Sequence, residues 1–504
     1  MQPDCKEIVD KYGPFVIKYL AEHLSPDEAC IKMTVCKSPT CQLFPSTSYA
    51  KAKHAALNPG PAPELLTMSP WAWIKKEINR VFNTHEPLVD LDDDLFSTEK
   101  TLRGSSWRGK DCNDLQKGVY PGRKGDQSEI DNNCNGISGV DSATGKTWEE
   151  TYCEGTNPLG TVILGDSAAA HFHIPPEYLS PPDMNSTTYS ELIYILENEF
   201  DWPQQSSTTA FVTTADKYDP GPIDSLYERM VKHNRCNHRD YQNIAVNGAR
   251  SGSMNSTIVR SISRDQEFDK PALVLYALIG NDVCNGHPDY WNRMTTPQQF
   301  YANVVAALDY LDTKLPKGSH LVFVGLPDGR ILYDSMHNRT HPIGGGVDYT
   351  HVYDFLNCLE ISPCYVWMNS NATIRDAGSA RAAELSAVYP QIIANHTYKN
   401  FDMTYYDYPI AEVIAEWEKK GGHPWDLIEP VDGFHPNQLV PPTTTNAESD
   451  HDLMIDLSLM VGQAMALTAA DLWAKLEKDH PTWLGSPNPN NDAILKQFGD
   501  QGGY

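Results

Sequence analysis

The chain has 504 residues, 40% of them apolar, enough for two or three domains and at least one large core. Its formal charge of −26 leaves no net basic field to displace counterions from phosphates, which excludes a nucleic-acid binder; contact with an anionic lipid surface would need local basic residues or bound cations. No run approaches the roughly 20 apolar residues of a membrane span, so there is no transmembrane segment.

The start, MQPDCKEIVDKYG, lacks the apolar core of a signal peptide, which taken literally makes the chain cytosolic. Two features disagree. There are 11 cysteines, and N-glycosylation sequons stand at Asn185, Asn255, Asn338, Asn371 and Asn395. Together they favour a secreted or lumenal parent protein whose N-terminus is missing here.

In residues 5–36, Ile8, Val9, Phe15, Val16, Ile17, Tyr19 and Leu20 fall at spacings compatible with one apolar helical stripe, interrupted at Gly13-Pro14. The spacing of Cys5, Cys30 and Cys36 resembles the last three cysteines of a saposin-like domain, a disulfide-stapled helical lipid-binding module. The resemblance implies that each would pair with an earlier cysteine, and those three partners are absent. Residues 1–36 are therefore expected to be a partial saposin-like segment, unstable unless docked on the rest of the chain. Setting these thiols aside leaves Cys41, Cys112, Cys134, Cys153, Cys236, Cys284, Cys358 and Cys364, an even set; the short CLEISPC interval makes Cys358–Cys364 a candidate local bridge. Residues 37–70, rich in Pro, Ser, Ala and Lys, read as a linker open to proteolytic processing, with Cys41 able to tie the helical piece to the larger one.

Residues 71–160 hold an unusual density of Asp and Asn. Alternate oxygen side chains let a tight loop wrap a hard cation, which takes about six to eight oxygens. Asp131, Asn133, Asn135 and Gly136 match the first, third, fifth and sixth positions of an EF-hand loop, but Ser142 stands at the twelfth. Asp90, Asp92 and Asp94 repeat the alternation with Leu95 at the glycine position. With Asp111, Asn113, Asp114, Asp126 and Asp141 these form the candidate ligand set, and the all-oxygen chemistry points to Ca2+ over transition metals.

From residue 161 to 504, buried-strand patterns recur at TVILG, FVTTA (211–215), NIAV (243–246), ALVLYALIG (272–280) and HLVFVGL (320–326). Helical patterns lie at 189–199, 223–235, 297–313 and 373–388. The alternation predicts an α/β fold, a parallel sheet flanked by helices with its site at the carboxyl ends of the strands.

Four short blocks fall at strand ends or on loops. In VILGDSAAAHFHIP a serine, Ser167, follows a strand and Gly-Asp; in NIAVNGARSGSM Gly248 offers an unobstructed backbone N–H; in ALVLYALIGND Asn281 ends a strand; in VDGFHPN Asp432 precedes His435 by three residues. A serine needs a base to take its proton and donors for the developing oxyanion. These blocks resemble the SGNH (GDSL-type) hydrolase family in type and order over residues 161–437. The resemblance implies that Ser167 attacks the carbonyl, His435 acts as base oriented by Asp432, and Ser167, Gly248 and Asn281 form the oxyanion hole. Asp166 is expected to cap the helix after it, His171 and His173 to pack or touch substrate, and Phe172, Phe434 and Trp425 to line an acyl tunnel.

The whole order, a saposin-like segment, a linker, an Asp/Asn-rich segment and an SGNH-hydrolase-like domain, resembles a family of animal lipases that remove secondary fatty acyl chains from the lipid A part of bacterial lipopolysaccharide. It implies a secreted or lysosomal glycoprotein, cut in the linker into small and large disulfide-linked subunits, holding calcium and acting peripherally on lipid aggregates or a membrane surface. An SGNH-type phospholipase or carbohydrate esterase would keep the same serine and histidine with a different pocket. A non-catalytic saposin-like lipid-binding protein would make them a relic.

Overall fold

The computed structural model describes residues 80–125, 129–175, 178, 195, 199–212, 223–343, 346–437 and 468–504. By Cα proximity the chain divides into two compact units, residues 1–83 with 185–197, and residues 84–184 with 198–504. The first lies almost wholly outside the described residues, together with the partial saposin-like segment, the linker, Asn185 and nearly all of the helix expected at 189–199. Asp126 and the end of FVTTA also fall outside.

The second unit is built on five strands: β1 (Gly160–Gly165), β2 (Tyr241–Asn243), β3 (Ala272–Ala277), β4 (Ser319–Val324) and β5 (Phe401–Tyr406). They form one parallel sheet in the order β2-β1-β3-β4-β5. Every residue of β1 is buried, as expected of a parallel strand covered on both faces. Alternate side chains then feed two cores. Val162, Leu164, Val274 and Tyr276 point to one, with Phe300, Val304 and Leu308 of a long helix, and Ile163, Leu273 and Leu275 point to the other, with Leu226 and Met230.

The helices that matter for the site are α1 (Trp148–Cys153), α2 (Ser167–Ala170), α3 (Leu226–His233), α4 (Ser251–Ser256), α5 (Gly280–Val283), α6 (Pro297–Asp312), α7 (Tyr349–Cys358) and α8 (Ala372–Ser386). Local chemistry trims the expected spans. Ser225 caps α3 by accepting the Glu228 N–H, which shortens 223–235 to 226–233. Thr296 and Gln299 form a capping box at the start of α6.

Three expectations need correction. Phe211 and Val212, the described start of FVTTA, lie outside any strand. The strand expected at NIAV begins two residues earlier, at Tyr241, although the Ile244 and Val246 amides still bond to Ile163 and Gly165 of β1. The bridge expected between Cys358 and Cys364 does not form: Cys364 pairs with Cys284, while Cys358 stays exposed and free at the end of α7. Cys364 is fully buried, facing Cys284, which ends α5, across a Cα separation of 4.4 Å. The other described bridges are Cys112–Cys134 and Cys153–Cys236.

Candidate active site

Gly165 lets the chain turn sharply out of β1. A Cβ there would stand 2.4 Å from the Ala169 Cβ and 3.0 Å from the Ala277 carbonyl oxygen, so only glycine lets α2 fold back onto the strand end. Asp166 is extended and caps α2, its carboxylate accepting the Ala168 N–H at 3.1 Å. Ser167 is thus the first helical residue, at the carboxyl end of the sheet. His171, in the left-handed region at φ 61°, ends α2 after one turn.

The Asp432 loop is folded by its own carboxylate, whose Oδ1 accepts the N–H groups of Phe434 (2.8 Å) and His435 (3.0 Å). Its Oδ2 lies 2.5 Å from His435 Nδ1, and His435 Nε2 lies 2.7 Å from Ser167 Oγ. With the carboxylate holding the proton on Nδ1, the Nε2 lone pair faces the hydroxyl, the arrangement a serine needs to lose its proton during attack. Ser167 and His435 are both buried, and Phe172 packs on the imidazole at 4.6 Å between ring centroids.

Gly248 follows the β2 segment with φ 72° and no atom near the position a Cβ would take, so its backbone is bare. Asn281, on the first turn of α5, lines the same cavity as Ser167 and His435. The neighbouring Asp282 does not cap its own helix. Its carboxylate accepts the Ser251 N–H (2.8 Å), the Ser251 hydroxyl (2.7 Å) and the Thr295 hydroxyl (2.5 Å), tying α5 to the start of α4 just beyond Gly248. Burial pushes Asp282 above the usual carboxylate range and lifts Asp166 to about 6.

Glu429 was not legible as a site residue. His173 Nδ1 lies 2.5 Å from its Oε2, and the Glu429 N–H donates to the His435 carbonyl. The pair clips the segment after Ser167 to the loop carrying His435.

A cavity of about 270 Å³ opens beside Ser167 at the strand ends. Its walls include Leu275, Leu278, Leu326, Ile331, Phe434 and Leu472, with few polar groups other than Asp166, Ser167, Asn281 and His435. Phe434 thus lines the cavity, whereas Phe172 backs the imidazole and Trp425 is packed between Arg339 (4.3 Å) and His423 (4.2 Å).

The Asp/Asn-rich region contains two loops of one design. Asp90 Oδ1 and Oδ2 accept the N–H groups of Asp94 and Leu95, as Asp131 Oδ1 and Oδ2 accept those of Asn135 and Gly136. In both loops the fourth and sixth positions are left-handed: Asp93 and Leu95 at φ 60° and 74°, Cys134 and Gly136 at 53° and 77°. Leu95 therefore adopts the conformation that glycine takes in the second loop. Further carboxylates gather at the first loop, where Asp114 joins Asp90 and Asp92 and Asp111 joins Asp92 and Asp94. At the second, Glu149 of α1 accepts from the side-chain amides of Asn133 (2.9 Å) and Asn135 (2.8 Å). Cys112–Cys134 links the two loops.

Buried oxygens of Asp92, Asp94 and Asp111 have no hydrogen-bond partner, and burial raises Asp94 to about 8 and Asp111 to about 6. Packed carboxylates with unpaired oxygens fit a bound metal ion. Asn113 contributes backbone bonds to the turn after Asp111. Asp141 instead binds the Ala143 amide and the Thr144 hydroxyl in an exposed turn, apart from the clusters found among the described residues.

The model of GDSL-like lipases and acylhydrolases matches residues 162–440, and that of the saposin-like type B domain, region 2, matches residues 3–36. Acyloxyacyl hydrolase of Homo sapiens is 39% identical to this chain over 525 residues, covering 100% of the chain and 86% of the relative. The chain belongs to the acyloxyacyl hydrolase family. The acyloxyacyl hydrolases of Oryctolagus cuniculus and Mus musculus are 42% and 41% identical, each over 99% of the chain and 86% of the relative. Membership in this family of GDSL-type acylhydrolases makes the chain an ester-cleaving enzyme, and the parallel α/β sheet is the frame of its hydrolase domain.

Proposed function

We propose that this acyloxyacyl hydrolase cleaves secondary fatty acyl chains from the lipid A part of bacterial lipopolysaccharide, with Ser167 as nucleophile, His435 as general base and then general acid, and Asp432 orienting the imidazole. The carrying observation is the line Asp432–His435–Ser167, at 2.5 and 2.7 Å, beside an apolar cavity. Ser167 Oγ adds to the ester carbonyl while His435 Nε2 takes its proton. The oxyanion is received by the Ser167 and Gly248 amides and the Asn281 side chain, each donor worth about 3 kcal/mol of barrier. His435 then protonates the departing hydroxyl of the acyl-bearing chain, and water, activated by the same imidazole, frees the fatty acid.

The curated relatives are named for the acyloxyacyl linkage, in which one fatty acyl chain is esterified to the hydroxyl of another. An apolar receptacle beside the serine suits such a substrate, since each buried methylene gains about 0.8 kcal/mol. The ion in the acidic clusters is Ca2+ in this reading, held by Asp90, Asp92, Asp94, Asp111 and Asp114 and by Asp131, Asn133, Asn135 and Glu149. It braces the segment packed behind the sheet and offsets negative charge. Cys358, free and exposed, is the thiol left for Cys41, so that cleavage in the linker would leave two chains joined. Disulfides and the sequons at exposed Asn338, Asn371 and Asn395 suit a secreted or lysosomal glycoprotein.

The deciding experiment compares fatty-acid release from lipopolysaccharide with release from phosphatidylcholine by the wild-type chain and by Ser167→Ala. Release from lipopolysaccharide that Ser167→Ala abolishes is expected. Equal release from both lipids would favour a general phospholipase, and release that survives Ser167→Ala would remove the catalytic assignment.

A further inference from the structure

The loop that carries the His435 imidazole closes on Glu429. The Glu429 N–H donates to the His435 carbonyl and the Glu429 carbonyl accepts the Gly433 N–H, both at 2.8 Å. Ile428 pairs with Pro436 in an antiparallel bridge, so the loop returns on itself. The Glu429 side chain is 1% exposed. Its Oε1 accepts the Val431 N–H at 3.3 Å, and its Oε2 lies 2.5 Å from His173 Nδ1.

His173 belongs to the other half of the site, the segment that leaves α2 after Ser167. Its backbone is pinned on both sides: the N–H donates to the Phe200 carbonyl (2.8 Å) and the carbonyl accepts the indole N–H of the fully buried Trp202 (3.0 Å). The preceding residue, Phe172, donates its N–H to the Ser167 carbonyl at 2.9 Å and packs its ring on His435. His173 is therefore a fixed post on the segment that supplies the nucleophile, and Glu429 is the root of the loop that supplies the base.

We infer that His173 and Glu429 are positioning residues: the hydrogen bond from the His173 imidazole to the Glu429 carboxylate holds His435 Nε2 at bonding distance from Ser167 Oγ. This deepens the reading of Ser167 and His435 as nucleophile and base and rests on it. Neither side chain of the pair is part of the cavity wall, so its loss acts on proton transfer and not on the fit of an acyl chain. A misplacement of about 1 Å at the reacting groups can cost on the order of 100-fold in rate. Burial pushes the Glu429 carboxyl above the usual carboxylate range and His173 opposes the rise. Without the imidazole the buried carboxyl takes up a proton, and the strut between the two segments is gone.

The test measures kcat and KM on a soluble ester for wild type, His173→Ala, His173→Asn, Glu429→Ala and the double variant His173→Ala/Glu429→Ala, with thermal melting alongside. It also follows labelling by an alkyl phosphonofluoridate, from which Ser167 Oγ displaces fluoride. His173→Ala is expected to lower kcat about 10–100-fold with KM within about twofold. Labelling should slow by a similar factor and still reach one phosphonyl group per chain, because every molecule keeps its serine and holds the base out of line. His173→Asn is expected to recover most of kcat, since the asparagine Nδ2 falls near the place of the histidine Nδ1 and can donate to Glu429. The double variant should be about as slow as either single one, because both changes break one link.

Full kcat in His173→Ala, a His173→Asn as slow as His173→Ala, or losses that multiply in the double variant would overturn the inference. So would labelling that reaches fewer sites at an undiminished rate, the mark of partial unfolding. If the Glu429 variants do not fold, the two His173 variants decide it. Hydrolysis and labelling that survive Ser167→Ala would instead remove the nucleophile assignment beneath it.

Discussion

Ser167 Oγ and His435 Nε2 lie 2.7 Å apart although 268 positions separate them in the chain. β1 delivers the serine through Gly165, and the Asp432 turn, bound to its own backbone, delivers the imidazole. Ser167→Ala and His435→Ala should each reduce ester hydrolysis to background without lowering the melting temperature by more than a few degrees. Asp432→Asn should cost about 10⁴-fold in kcat, because an amide at that place favours the wrong imidazole tautomer. Initial rates on a chromogenic ester, alongside circular dichroism, check all three.

The cavity predicts a chain-length effect. Leu326 lies two residues past the end of β4 among the apolar residues that line it. Leu326→Trp would occupy space otherwise open to the far end of an acyl chain. Losing two methylene contacts is worth about 1.6 kcal/mol, so kcat/KM for a twelve-carbon ester should fall about 15-fold while that for a four-carbon ester stays within about twofold. Parallel loss on both esters would mean that the chain does not enter this cavity.

What could be read in the sequence followed from local pattern. Ser167, Gly248 and Asn281 each stand in a short block after an apolar run, Asp432 and His435 stand three residues apart in one short block, and β1, β3 and β4, buried on both faces, read as continuous apolar stretches. The fifth strand, FDMTYY, escaped notice because it is an edge strand with Asp402 exposed and Met403 and Thr404 half-buried, so it lacks that signal. Glu149 and Glu429 escaped for another reason. Each completes a cluster whose other members lie elsewhere in the chain, and only the fold brings them together. Cys364 paired with Cys284, 80 residues away, because disulfide geometry depends on Cα proximity in space and on side-chain direction, which the short CLEISPC interval does not ensure.

The acidic clusters predict linkage between metal and stability. A ligand bound only by the folded state stabilises it by about 2.7 kcal/mol at a hundredfold excess over Kd. Removing metal with a chelator should therefore lower the melting temperature by several degrees, and Ca2+ should restore it better than Mg2+. Glu149→Gln should lose the metal of the second loop while retaining that of the first, measured as equivalents of bound calcium by atomic emission. Unchanged melting and unchanged metal content after chelation would remove the metal from the account.

Cys358 is the free thiol among the described residues. If it holds the small piece, protein cleaved in the linker should run as one band on a non-reducing gel and as two after reduction. Cys358→Ser should give two bands under both conditions, with ester hydrolysis by the large piece retained. One band in unreduced Cys358→Ser would assign the link to another cysteine.

Three histidines should make the fold sensitive to acid. Burial lowers His85 to about 4, His238 to about 3 and His320 to about 4, from an ordinary value near 6.5. Below pH 6.5 the unfolded chain binds protons that the folded chain refuses, so this contribution is fully present above that pH and is lost as pH falls toward 4. Each unit of difference is worth about 1.4 kcal/mol. Buried carboxyls such as Asp166, raised to about 6, act in the opposite sense, because the folded state there holds a proton that the unfolded state releases. The diagnostic is therefore a difference between proteins. His238 is 3% exposed and bonded to the Gly503 carbonyl through Nε2, a contact that a glutamine amide can reproduce without titrating. His238→Gln should flatten the fall in denaturation free energy between pH 6.5 and 4 relative to wild type, by about 2–3 kcal/mol at the acid end. Urea unfolding at a series of pH values measures it, and parallel curves for the two proteins would show that His238 titrates alike in the folded and unfolded states.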